Sequence, residues 1–170
     1  MTSSNLLIAP AHLVKRRQLL IATALGLGTT FLPPTLRAQS AINELLRPAT
    51  AAEVKAILDD FTQGQSPITT GLKLDMPVLG DNPAAVPVKV VFDESITPEN
   101  FCEELIILAE SNPKPLACRF QFTALAGTTE VAVRLRLIES QNIRALARMN
   151  DGRILMAQRH ITVTAGGCGM

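Results

Sequence analysis

The sequence predicts an all-β fold: an immunoglobulin-like antiparallel β-sandwich with a short N-terminal helical segment. Three observations predict it. Apolar and polar residues alternate in four runs between Leu72 and Leu137, the pattern of strands with one buried face. Turn signals separate the runs: Gly80-Asp81-Asn82-Pro83, Ser111-Asn112-Pro113, Ala126-Gly127-Thr128 and Asn150-Asp151-Gly152. Strands do not alternate with helices and no repeat is present, so a parallel sheet is not expected.

The first segment, residues 1–40, reads as an export leader. Lys15-Arg16-Arg17 precedes an apolar run from Leu19 to Leu32, and Pro33-Pro34 closes it. Ala38-Gln39-Ser40 supplies small residues for a cut near Ser40. The run holds 14 residues, fewer than the roughly 20 that cross a bilayer, so no stable membrane anchor is expected. Arg16 and Arg17, followed by Gln18-Leu19-Leu20, resemble the twin-arginine signal read by a transporter of folded proteins. Lys15 stands where that signal usually has a small hydroxyl residue. The expected location is the bacterial periplasm.

Residues 41–64 form the helical segment. Val54, Ile57, Leu58 and Phe61 recur at helical spacing. Thr50 with Glu53 three residues on is a capping box, so a helix is expected over about 51–61, ended by Gln63-Gly64. A shorter helical turn precedes Pro48. The sandwich occupies residues 65–164. Leu72, Leu74 and Met76 share one face, as do Val86, Val88, Val90 and Phe92. Leu116, Cys118, Phe120 and Phe122 are expected to share another, and Val131, Val133, Leu135 and Leu137 a fourth. The Asn150-Asp151-Gly152 turn joins Ile143–Met149 to Ile154–Val163 as a tight hairpin. Arg134, Arg136, Arg144 and Arg148 read as an exposed face, either simply solvated or used for docking.

Charge excludes one function class. All fifteen acidic residues follow position 40, against twelve of the sixteen basic ones. The mature chain is therefore slightly acidic, unlike a nucleic-acid-binding domain. No acidic dyad, phosphate loop or nucleophile elbow is present. The histidines are His12, in the leader, and His160, a strand-surface residue with a His–Cys pair as the sharper alternative. No metal site and no cofactor are expected.

Three cysteines remain. Cys118 reads as a small buried hydrophobe, and Cys102 as buried or half exposed. A hairpin turning near residue 113 sets Cys118 opposite position 108, which disfavours a Cys102–Cys118 disulfide. Cys168 is different. It lies in Ala165-Gly166-Gly167-Cys168-Gly169-Met170, a segment with almost no side-chain volume. Residues 165–170 read as a flexible carrier arm. Gly166, Gly167 and Gly169 leave the sulfur as the widest part of a probe able to enter a narrow cleft. No cation neighbours the thiol in sequence, so it suits being loaded by other proteins better than acting alone.

The terminal Gly-Gly-Cys-Gly after His160-Ile161-Thr162-Val163-Thr164-Ala165 resembles the SoxY family of sulfur-oxidation carriers. The likeness includes Pro87-Val88, Asn112-Pro113-Lys114-Pro115, Gln141-Asn142-Ile143, the Asn150-Asp151-Gly152 turn, Met156-Ala157 and the leader. The resemblance implies a carrier, not an enzyme, that holds thiosulfate-derived intermediates covalently on Cys168. It implies a SoxZ-like β-sandwich subunit as partner. It further implies loading by the c-type cytochrome SoxXA, hydrolysis by SoxB and, in some organisms, oxidation by SoxCD. Met170 replaces the family's usual final glycine, and Cys102 and Cys118 are additional to the usual single cysteine. Two other classes compete: an exported scaffold or adhesion module cross-linked through its terminal cysteine, and a thiol oxidoreductase, for which no CxxC pair is visible.

Overall fold

The structure, a computed structural model, describes residues 47–128 and 130–164. The export leader, including Arg16 and Arg17, the segment before Arg47 and the arm residues Gly166, Gly167, Cys168 and Gly169 lie outside them. The elements are α1 (Ala51–Thr62), β1 (Leu72–Asp75), β2 (Leu79–Gly80), β3 (Val86–Phe92), β4 (Cys102–Ala109), β5 (Leu116–Gln121), β6 (Glu130–Leu135), β7 (Gln141–Met149) and β8 (Ile154–Val163). A three-stranded sheet, β1-β3-β6, packs on a five-stranded sheet, β2-β8-β7-β4-β5. Every pairing is antiparallel except β2 with β8. This is the predicted sandwich, with the helix laid over the outer face of the larger sheet.

Helix α1 begins where the capping box places it. Thr50 Oγ1 accepts from Glu53 N at 3.3 Å, and Thr50 N donates to Glu53 Oε2 at 2.7 Å. Arg47 grips the same carboxylate through two nitrogens, at 2.7 and 3.0 Å. The Arg47 hydrogen bonds, followed by those from Thr50, lower the Glu53 pKa to about 2. Gln63 takes the left-handed conformation and donates its N–H to Asp59 O, ending the helix. Phe61, Ile57 and Leu58 then pack on Ile106, Leu108, Leu146 and Ile154.

That contact explains a departure from simple alternation. Strand β4 is buried without interruption from Leu105 to Ala109. Leu105, Ile107 and Ala109 face the inter-sheet core, while Ile106 and Leu108 face the helix. In β7, Ala145 and Ala147 face inward and Leu146 faces the helix. Central strands covered on both sides carry apolar residues on both faces.

Two expectations need correction. Leu116 does not share the face of Cys118, Phe120 and Phe122. A register shift between Ile107 and Leu108 interrupts the β4–β5 ladder, and Leu116 packs on the helix side while the other three face the inter-sheet core. Nor do the four arginines form one exposed face. Arg134 and Arg136 are exposed on the outside of the smaller sheet. Arg144 and Arg148 are half-buried on the outside of the larger one. Arg144 pairs with Glu110 at 2.7 Å. Arg148 reaches Glu104 at 3.2 Å and Phe61 O at 2.6 Å, with its guanidinium 4.7 Å from the Phe61 ring centroid. The third side of that cluster is helix, which no strand-only reading supplies.

The hairpin between β7 and β8 matches expectation. Gly152 has φ +86°, and Met149 N bonds Arg153 O at 2.9 Å across the turn. Asn150 also accepts from Phe101 N at 3.0 Å, fixing the entry to β4.

The helix-to-sheet contact sets a stability expectation. Ile106 is fully buried beneath α1. Ile106→Ala should lower the unfolding free energy by about 3 kcal/mol, through lost burial and a residual cavity. Urea unfolding checks this, and a loss below about 1 kcal/mol would mean that the helix does not cover the sheet.

Candidate functional site

The residue singled out for chemistry, Cys168, lies outside the described residues. What the structure defines is the root from which it extends. Strand β8 runs toward the C-terminus as an inner strand, with β7 on one side. Its last residues are held from the other side too. Thr162 N donates to Val78 O at 2.9 Å, and Thr164 N approaches Gly80 O at 3.4 Å. Ser140 closes on the same stretch, with Val163 N donating to Ser140 Oγ at 3.0 Å.

Gly80 makes that clamp possible. A Cβ at this position would lie 3.2 Å from Val163 Cγ1 and 3.3 Å from both Ile161 Cδ1 and Val86 Cγ2. The sequence suggests only a turn at Gly80-Asp81-Asn82-Pro83. The structure places Gly80 one step earlier, within β2, where absence of a side chain lets two backbones close on each other. No sequence signal separates this role from that of an ordinary turn glycine.

The surface at this end combines apolar and cationic groups. Val78 and Leu79 are exposed beside the β8 terminus, and Ile138 is exposed two residues before Ser140. Lys114, Arg134 and Arg136 are exposed and make no side-chain hydrogen bond or ion pair among the described residues. Asn112 ties this end together, donating to Arg136 O at 2.8 Å and accepting from Ile138 N at 3.2 Å.

The other two thiols are placed for silence. Cys102 is 5 % exposed in the inter-sheet core. Desolvation drives its pKa up to about 12, with only a weak opposing hydrogen bond from Glu104 N. Cys118 is half-buried and burial raises its pKa as well. Both are free thiols. Cys118 faces Ile107 across the ladder, one position from the expected partner. That leaves it five residues along β4 from Cys102, a separation of about 17 Å that no disulfide spans.

His160 is exposed on β8, as expected. Its Nδ1 lies 3.1 Å from Asn142 Oδ1. Among the described residues no group of three or more His, Cys, Asp or Glu side chains could hold a metal ion, and no helix is long and apolar enough to cross a membrane.

Two predictions follow from this geometry. Gly80→Val should force β2 from β8, speed hydrogen exchange at the Thr162 amide, and cost about 1–3 kcal/mol through overpacking. Unchanged exchange there would show that the clamp does not hold β8. In native protein at pH 8, well below its raised pKa, Cys102 is held as the thiol. Cys102 should therefore escape iodoacetamide until the protein unfolds, as read by peptide mass, while the C-terminal peptide is labelled. Equal labelling of the two would contradict the burial.

The chain resembles proteins of known structure. It matches the sulfur carrier protein SoxY from Chlorobium limicola f thiosulfatophilum at 25 % identity and a TM-score of 0.54, covering 68 % of this chain and 99 % of that one. A variant of the superoxide reductase (neelaredoxin) from Ignicoccus hospitalis matches at 18 % identity and a TM-score of 0.49, covering 65 % of this chain and 87 % of that one. None of the curated proteins matches significantly. The family model for the sulfur oxidation protein SoxY matches residues 58–168, and so runs from within α1 through both sheets to the arm cysteine itself. With two-thirds of its length matched and the sandwich in place, the chain belongs to the SoxY family of sulfur oxidation proteins.

Proposed function

We propose that this protein is a periplasmic sulfur carrier that holds thiosulfate-derived intermediates on Cys168. The observation that carries the reading is the family match, which ends on Cys168. The surrounding chemistry supports it. Cys102 is buried, Cys118 is half-buried, and burial raises the pKa of both, which favours Cys168 as the bearer of the cargo. A six-residue segment beyond Thr164 can extend at most about 20 Å, enough to enter a cleft while its root stays clamped in the sheet.

In the proposed loading step, the Cys168 thiol joins the sulfane sulfur of thiosulfate. An S–S bond forms, one proton leaves the thiol, and two electrons pass to a c-type cytochrome of the SoxXA kind. In the next step, water attacks the terminal sulfone group of the cysteine S-thiosulfonate. Sulfate departs and a persulfide stays on Cys168, a reaction for a SoxB-like hydrolase. A SoxCD-like enzyme would oxidise the remaining sulfane sulfur where one is present. A SoxZ-like sandwich subunit is the proposed companion. Because the leader resembles a signal for folded proteins, that companion would cross the membrane already bound.

Mass measurement of the C-terminal peptide from cells grown on thiosulfate tests the proposal. A thiosulfonate or persulfide on Cys168 is expected, and Cys168→Ser should abolish thiosulfate-dependent respiration while leaving the fold intact. A peptide found only as a disulfide dimer would overturn the reading in favour of a cross-linked scaffold.

A further inference from the structure

Positive charge is unevenly neutralised over this fold. Twelve basic residues follow position 40, and all twelve lie among the described residues. Eight of them are paired with carboxylates. Arg159 gives its guanidinium to Leu74 O at 3.3 Å. Lys114, Arg134 and Arg136 are left without a carboxylate among the described residues, and these three share one end of the sandwich.

The backbone brings them together. Arg134, Arg136 and Ile138 are exposed, while Leu135 and Leu137 between them are buried. Alternation with a period of two sends the three exposed side chains to one side, each about 7 Å from the next along the chain. Strand β6 is an edge of the smaller sheet, so no further strand covers the row from the side. Lys114 joins the row through the loop after β4. Asn112, two residues before it, donates to Arg136 O at 2.8 Å and accepts from Ile138 N at 3.2 Å.

A buried glutamine locks this arrangement. Gln141 is 3 % exposed. Its Oε1 accepts from Ser111 N at 2.8 Å, and its Nε2 donates to Asn112 Oδ1 and to Glu139 O, both at 3.1 Å. One side-chain amide thus uses both of its donor hydrogens and its oxygen to hold two loops together. Leu137 N bonds Pro83 O at 2.8 Å and fixes a third loop beside them. The face is pre-organised, so a partner binding here does not bear the cost of ordering it.

We infer that Lys114, Arg134, Arg136 and Ile138 form a docking face for an acidic protein surface, with Ile138 as its apolar contact. Charge sets the class of occupant. Beyond position 40 the chain carries fifteen acidic against twelve basic residues, so the field of the whole body opposes an extended polyanion such as nucleic acid. A local cluster of cations suits a local cluster of carboxylates. A second copy presenting the same face would set like charges against each other. Asp81 and Glu139 are the exposed acids at this end, and neither pairs with the three cations. Glu110 is taken by Arg144. Charges on an edge strand also deter edge-to-edge pairing. That role accepts charge of either sign, whereas docking requires positive charge. The inference concerns the sandwich body and does not rest on the carrier reading.

The test is a titration of the mature chain with a random copolymer of glutamate and tyrosine, followed by backbone amide NMR. Shifts should concentrate at Lys114 and from Arg134 to Ile138. Binding should weaken about tenfold as the Debye length falls from about 30 Å at low salt to about 8 Å at physiological salt. Arg134→Glu together with Arg136→Glu should weaken it about tenfold while leaving the amide spectrum of the remaining body unchanged. Arg134→Lys with Arg136→Lys should largely retain it. Ile138→Ser should weaken it about threefold without altering its salt dependence. Absence of shifts, shifts centred elsewhere on the body, or binding that survives the double reversal overturns the inference. So does duplex DNA binding more tightly than the copolymer at equal salt. Line broadening that grows with protein concentration alone and vanishes in the reversed variant would overturn it in favour of a contact between copies.

Discussion

The C-terminal end of the described fold depends on how closely β2 seats against the end of β8. A terminal strand ordinarily frays, because its last residues have a neighbour on one side only. Here the stretch from Thr162 to Thr164 is bonded by Val78 and Gly80 on one side and by Ser140 on the other. The approach leaves no room for a Cβ on Gly80. The consequence is geometric. The last residues of β8 are thereby held from both sides as a fixed part of the larger sheet.

Much of this fold was legible because local chemistry and tertiary packing agree. The capping box at Thr50 and Glu53 locates α1 to within a residue, and alternation in Val86–Phe92 and Val131–Leu135 assigns the buried faces correctly. Sequence reasoning failed where a third layer intervened. The apolar run Leu105 to Ala109 has no period because the helix covers one face and the smaller sheet the other. Leu116 was assigned to the wrong face because a register shift leaves no mark in composition. Arg148 reads as a surface cation, yet it sits over the ring of Phe61, 87 residues away in the chain. The reading of Cys168 falls outside the described residues and rests on the sequence alone. Gly80 was among the hardest features to read, since a turn glycine and a close-contact glycine look identical in one sequence.

The extra cysteines pose a chemical problem that the fold resolves. A carrier gains nothing from additional nucleophiles, which would exchange with its cargo and scramble it. Thiol–disulfide exchange runs through the thiolate, and burial withholds that form. Cys102 lies among Phe92, Phe122 and Met149, where a charge would be poorly solvated. Cys118 points into the same core from β5. Burial thus disfavours the thiolate at both of these positions. It needs no protecting disulfide, and the register of β4 and β5 forbids one between this pair.

Partners distant in sequence also meet on the outer face of the larger sheet. Sequence alone offers His160 no partner, because Asn142 lies 18 residues upstream and Glu110 a further 32. Antiparallel pairing of β4, β7 and β8 puts all three on one face. None of the four groups in the line, with Arg144 at its far end, is unusual alone, and the Glu110–Arg144 pair is too shielded to be a simple solubilising contact, with side-chain exposures of 17 % and 20 %. A half-buried ion pair seldom stabilises a fold by much once desolvation is counted. Its physical effect here is orientation: it fixes the carboxylate, the carboxylate fixes the amide, and the amide fixes the imidazole. The sandwich therefore supplies direction at each step of the line from Arg144 to His160.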